Sequence, residues 1–237
     1  MFRWIQKRID DFCGIIRADL FISVGSACRP AHYLQKFNLR KFSSPFDWMM
    51  AYKLEHIAYF LKNDGADFFA KFEEIRKDEI GYVHRFVQDT QTGMISMHDF
   101  PRDKSVEDYY PEFIVKYKRR LANLKNALSN SKHIVFVGNR DNDLQDFQVF
   151  LDEMQKIHTA KYTFINVRHS KRSMTKRTMI GGGNYIIEYS FNDIHPQGST
   201  NQNPDFWIGN VKKWSRIMRK LRLSANCKHK RDTLIID

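Results

Sequence analysis

The run His133-Ile134-Val135-Phe136-Val137-Gly138-Asn139 is an apolar stretch closed by a turn signal, and its reading decides the fold. Residues 144–154 follow it with Leu144, Phe147, Leu151 and Met154 at helical spacing, and then comes a second apolar run over 162–167. Strand, helix and strand joined by short loops build a parallel sheet whose faces are covered by helices. Outward from this unit, 20–24 reads as a buried strand ending in Gly25-Ser26, and Arg29-Pro30 opens a helix through about Phe37. Residues 185–191 add a strand after Gly181-Gly182-Gly183. That glycine run lacks the Lys-Ser/Thr of a phosphate-binding loop and reads as a turn.

Between these elements, Met50, Leu54, Ile57, Ala58 and Leu61 mark one helical stripe, and Phe68, Phe69, Phe72 and Ile75 a shorter one. Residues 82–87 and 94–98 read as two strands of a hairpin. Residues 109–128 keep an apolar stripe for five turns. The chain closes with a helix carrying Trp207, Val211, Trp214, Met218 and Leu221 on its apolar face. The expected architecture is one α/β domain over residues 1–237. It has a mostly parallel sheet covered by helices on both faces, an inserted β-hairpin, and a basic C-terminal helix and tail over 206–231.

Of the 237 residues, 42% are hydrophobic and 14% aromatic, enough apolar surface to exclude a disordered chain. No stretch approaches the roughly 20 consecutive apolar residues of a membrane span. Phe2, Ile5, Ile9, Phe12 and Ile16 instead mark an amphipathic N-terminal helix, packed on the domain or lying on a membrane surface. Three cysteines, Cys13, Cys28 and Cys227, without CxxC spacing fit neither a disulfide framework nor a zinc site. The expectation is a cytoplasmic protein with free thiols, no metal and no cofactor.

The net charge of +12 is unevenly spread. Residues 1–153 hold 23 Lys/Arg against 22 Asp/Glu, whereas 154–237 hold 16 against 5. The basic third, with Lys212, Lys213, Arg216 and Arg219, suits a polyanion such as nucleic acid or an anionic glycan, an anionic membrane face, or simply a solubilising surface. Neither a helix-turn-helix nor a zinc-finger pattern accompanies it.

Chemistry concentrates where the first strand ends. Ligands of open α/β sheets bind outside the carboxyl ends of the strands. Cys28 falls there, at a helix N-terminus whose free N–H groups and dipole, with the Arg29 guanidinium, lower a thiol pKa. Those N–H groups could hold an oxyanion, and Gly25 and Ser26 would let the backbone approach a substrate. The bland alternative is a small buried thiol at a turn. A cysteine nucleophile needs a base, and His98 and His84 both sit in the predicted hairpin. Asp47, between Phe46 and Trp48, is a carboxylate that requires a partner. A different reading makes Arg29 and Arg140 anion clamps of a transferase using a phosphorylated or sugar donor.

The run Ser23-Val24-Gly25-Ser26-Ala27-Cys28-Arg29-Pro30-Ala31, with Leu39-Arg40 and Ser44-Pro45-Phe46-Asp47-Trp48, resembles the DUF1796 family of papain-like cysteine peptidases. Met97-His98-Asp99-Phe100, and less closely His84-Arg85-Phe86, resemble the family's later histidine-aromatic segment. The resemblance implies Cys28 as nucleophile, His98 as base and Asp47 as orienting residue, with a peptide or other acyl or amide substrate. Papain-like enzymes take the third residue after the histidine, so Asp99, Asn139, Asp141 and Asp143 stay open as alternatives.

Overall fold

The computed structural model describes residues 14–76, 82–198 and 203–224. A five-stranded sheet holds the molecule together. Its strands are β2 (Leu20–Ser23), β7 (His133–Gly138), β8 (Lys161–His169), β9 (Met174–Ile180) and β10 (Asn184–Phe191), in the order β2-β7-β8-β10-β9. The first three pairings are parallel, and β9 closes the edge antiparallel to β10. A four-stranded antiparallel sheet comprises β3 (Met49–Met50), β4 (Phe72–Ile75), β5 (His84–Asp89) and β6 (Ile95–Pro101), in the order β3-β6-β5-β4. A parallel pair joins β1 (Ile16–Ala18) to β11 (Leu221–Leu223).

Alternation along the buried strands sorts side chains between two cores. Leu20, Ile22, Val24, Ile134 and Phe136 face a large core shared with α2 (Leu54–Lys62), α3 (Val106–Ser129) and α4 (Leu144–Ile157). Phe21, Val135, Val137 and Val167 face a smaller one under α1 (Arg29–Lys36) and α5 (Val211–Met218), where Tyr33 and Trp214 stack 4.9 Å apart. The four-stranded sheet contributes Met49, Val87 and Phe100 to the large core, and the β5–β6 loop adds Met94. The two sheets are thus packed through one apolar layer, which fixes their relative position.

The end of α1 shows how local chemistry steers the chain toward the site. Asn38 adopts φ 55° just past the helix, a conformation that asparagine tolerates. The Leu39 N–H then bonds the Leu34 carbonyl at 2.9 Å, and both side chains enter the small core. This closing turn delivers Arg40 to the segment that carries Asp47.

The α/β class holds, as does the hairpin, but several expectations are corrected. Taken over its three sheets the protein is not mostly parallel, because all pairings in the four-stranded sheet are antiparallel. The stripe Phe68, Phe69, Phe72 and Ile75 is not a helix. Phe69 and Arg76 have φ of 52°, which no helix admits, and 72–75 pairs with β5 instead. Strand β9, not among the expected strands, exposes most of its side chains and is held by its pairing with β10 rather than by a buried apolar face. At the C-terminus the regular helix covers only Val211–Met218. Trp207 lies in a short 3-10 turn ended by Gly209, and Leu221 has left the helix to pair with β1. Residues 225–231 of the expected basic tail lie outside the described residues, as does the N-terminal amphipathic helix up to residue 13. Ile16, assigned to that helix, is in β1.

Candidate active site

Cys28 ends the turn after β2 and is the N-cap residue of α1. The turn has little slack. A side chain added at Gly25 would meet Asn139 Oδ1 at 2.4 Å, Pro30 Cγ at 2.6 Å and the Ala27 carbonyl at 2.8 Å. Gly25 is therefore required for the loop to fold on itself. Ser26 is exposed, and its hydroxyl donates to the Asn139 carbonyl at 2.8 Å, tying the β2 turn to the β7 turn.

Arg140 braces the same turns from beneath. It is buried, and its guanidinium donates to the carbonyls of Val24, Gly25 and Tyr52 at 2.5, 3.3 and 2.8 Å while lying over the Tyr52 ring. Its own N–H and carbonyl are satisfied by the Asn166 side chain. Arg29 is likewise committed, to the Trp207 carbonyl at 2.6 Å and to Asp193 in an ion pair. Asp193 also accepts from the Trp214 indole and the Asn210 N–H, each at 2.9 Å. Gly209 makes room for this cluster, since a side chain there would meet Asp193 and Arg29 within 3 Å. Neither arginine is free to clamp an anion. The expectation that they serve as anion clamps is corrected, because each is committed to acceptors on other segments of the chain, Arg140 to the β2 turn and Tyr52, and Arg29 to Trp207 and Asp193.

The imidazole comes from the other sheet. The β5–β6 pairing slips: Arg85 faces Phe100, while Val87 faces Ser96. Two residues of β5 advance while four of β6 do, so Met97-His98-Asp99 forms a bulge. A bulge breaks strict alternation and re-aims a side chain. Asp99 and Phe100 are consecutive and both buried, while His98 points outward. Its Nε2 lies 3.5 Å from Cys28 Sγ, a contact between residues 70 apart in sequence. His84 stands behind it with ring centroids 6.1 Å apart, so it neighbours the base instead of replacing it.

Asp47 is fully withdrawn from water. Its Oδ2 accepts from Arg40 Nη1 at 3.1 Å and from the Ser44 N–H at 2.9 Å. It therefore does not spend this oxygen on His98, as the orienting role required. The turn it closes instead presents Trp48 to the imidazole, edge-on at 5.7 Å, while Arg40 lies 5.7 Å over the other ring of the contact, the Trp48 indole. Trp48 is the functional neighbour that residue-type reasoning missed; only its place beside Asp47 could have flagged it. Of the other acids, Asp99 is paired with Lys116 and Arg120 and hydrogen-bonded by Ser96, and Asp143 caps α4. The side-chain oxygen of Asn139 is buried beside Gly25 and has no hydrogen-bond partner among the described residues.

The electrostatics differ from expectation. Burial, with the Asp47 carboxylate, pushes the Cys28 thiol up to about 11, against a lesser downward pull from its own backbone N–H. Loss of water around the imidazole, with His84 beside it, holds His98 below its ordinary value. Burial raises Asp47 to about 6 despite the Arg40 partner. The resting pair is therefore a neutral thiol and a neutral imidazole. The predicted lowering of the thiol fails because Arg29 is turned to Asp193 and the sulfur is desolvated.

A cysteine at the helix start that follows a parallel strand, met by a histidine from the antiparallel sheet in an α/β scaffold, defines the class of a cysteine–histidine site. The chain belongs to the family described as "Putative papain-like cysteine peptidase (DUF1796)", whose family model matches residues 19–170, a span that includes Cys28, Asp47, His84 and His98. It is also similar to a protein of Acanthamoeba polyphaga mimivirus, "Uncharacterized protein R408", at 32% identity over 50% of this chain and 60% of the relative. The chain thus spans less than two thirds of that relative's length. No solved structure matches it. Among the described residues no helix is long and apolar enough to cross a membrane.

Proposed function

We propose that the protein is a cysteine-dependent hydrolase or acyl transferase acting on a peptide or another amide or ester. The observation that carries the reading is the 3.5 Å approach of Cys28 Sγ to His98 Nε2. His98 takes the thiol proton as the sulfur attacks the substrate carbonyl carbon, and the same proton then passes to the leaving amine or alcohol. The resulting thioester is cleaved by water or by an acceptor nucleophile, again with His98 as base. Because Pro30 has no N–H, the first-turn donors left to the oxyanion are the backbone N–H groups of Arg29 and Ala31. Asp47 serves as a positioning residue, holding Arg40 and the Trp48 turn against the imidazole.

The pair starts neutral, so proton transfer accompanies attack instead of preceding it. A peptide vinyl sulfone, read by mass spectrometry, tests this. Labelling at Cys28 that is lost in Cys28→Ser and slowed in His98→Ala supports the reading. Labelling of Cys28 at equal rate in wild type and His98→Ala overturns it.

A further inference from the structure

A concavity lies on the small-core face, between α5 and the β9–β10 edge, with a volume of about 220 Å³. Lys213, Arg216 and Lys220 line one side, and Ser173 and Thr175, with the backbone at Ser190, line the other. Tyr189, Phe191 and Ile217 form an apolar floor. Among the described residues no Asp or Glu lines it.

Lys213 and Arg216 are three residues apart on α5 and so share a face, where like charges are mildly destabilising, and Lys220 joins them from the turn just past the helix. An ordinary surface would disperse them among carboxylates. Arg216 and Lys220 make no ion pair among the described residues, and the Lys213 ammonium reaches only the Ser173 hydroxyl, at 3.4 Å. Lys212, on the same helix, does not enter the cleft, so the basic character of α5 is sorted by direction.

We infer that this cleft binds a phosphate-bearing ligand. A phosphomonoester carries about −1.5 to −2 charge and three acceptor oxygens at neutral pH, which suits three cations and the Ser173 and Thr175 hydroxyls. Arg216 supplies a planar fork and the lysines point charges. The volume falls below the roughly 300 Å³ of sites for drug-sized molecules, so the site takes a phosphate with a small attached group. The apolar floor receives that group. The site is separate from Cys28 and stands whether or not the cysteine–histidine pair is catalytic.

The ligand could be a free phosphorylated metabolite or a lipid headgroup, and the experiment separates them. Isothermal titration of the full chain with inorganic pyrophosphate reports free-phosphate binding. Co-flotation with phosphatidylcholine vesicles, with and without phosphatidylinositol phosphate, reports the headgroup. Saturable binding in either arm that weakens at least ten-fold in Lys213→Ala/Arg216→Ala, but stays within two-fold in Lys212→Ala, supports the site. Both variants alter solvent-facing side chains, and thermal melts check that they fold. Absence of binding in both arms at low salt overturns the inference. Equal weakening by Lys212→Ala overturns it too, because that is the behaviour of a diffuse basic surface.

Discussion

The indole of Trp48 meets the imidazole of His98 edge-on, with ring centroids 5.7 Å apart and planes at 72°. Edge-to-face contact fixes a ring's orientation through its quadrupole as well as its bulk. His98 sits on a bulge with one side open to solvent, so this contact is what limits its rotation away from Cys28.

Trp48→Ala should therefore decouple the base from the nucleophile without unfolding the chain. The measurement is a double-mutant cycle on Cys28 alkylation at neutral pH. His98→Ala is expected to slow alkylation on the order of ten-fold in the wild-type background and far less in the Trp48→Ala background, since a misplaced base contributes little. An unchanged His98→Ala effect would assign Trp48 to packing alone.

The pH profile of alkylation follows from the raised thiol. With Cys28 at about 11, the thiolate fraction keeps growing as pH rises through the alkaline range. The logarithm of the iodoacetamide rate should climb steadily past pH 9 instead of levelling near the usual cysteine value of about 8.5. A plateau at neutral pH would show a preformed ion pair.

Asp47→Asn tests two consequences of one buried carboxylate. The charge of Asp47 is among the causes that raise the Cys28 thiol, so removing it should increase alkylation of Cys28 at neutral pH by a few-fold. An orienting carboxylate would produce the opposite change.

The same substitution alters the pH dependence of stability. The Asp47 carboxyl is raised from 3.8 to about 6, so the folded protein holds its proton where the unfolded chain has lost it. Stability from this group is present below the unfolded value and is lost as pH rises through about 6, by about 3 kcal/mol in all. Urea unfolding should show this loss between about pH 4 and 6 in the wild type and not in Asp47→Asn. Breaking the Arg40 pair adds a separate penalty to the variant near neutral pH, because the guanidinium is left without its counter-ion.

Arg140→Met would remove donors from the buried carbonyls of Val24, Gly25 and Tyr52. Each stranded acceptor costs about 1–3 kcal/mol, so the variant should lose several kcal/mol in a urea melt, with the Cys28 turn opening first in hydrogen exchange.

The sequence by itself determined the local pieces. Apolar runs at 20–24, 133–137, 162–167 and 185–191 specified four strands of one sheet, and Gly25 through Pro30 specified a turn that puts Cys28 at a helix start. Such information is short-range: it lies in side-chain period and in the conformations that glycine and proline allow. Tertiary structure alone decided which histidine meets the thiol, because a bulge in one sheet and the packing of that sheet on another set the distance. It also decided what Arg29, Arg140 and Asp47 do. Each charged group takes a partner that folding supplies, and these partners come from residues as far as 178 positions away. The direction of the Cys28 shift reversed for the same reason, since desolvation depends on everything packed around the sulfur and not on its neighbours in the chain.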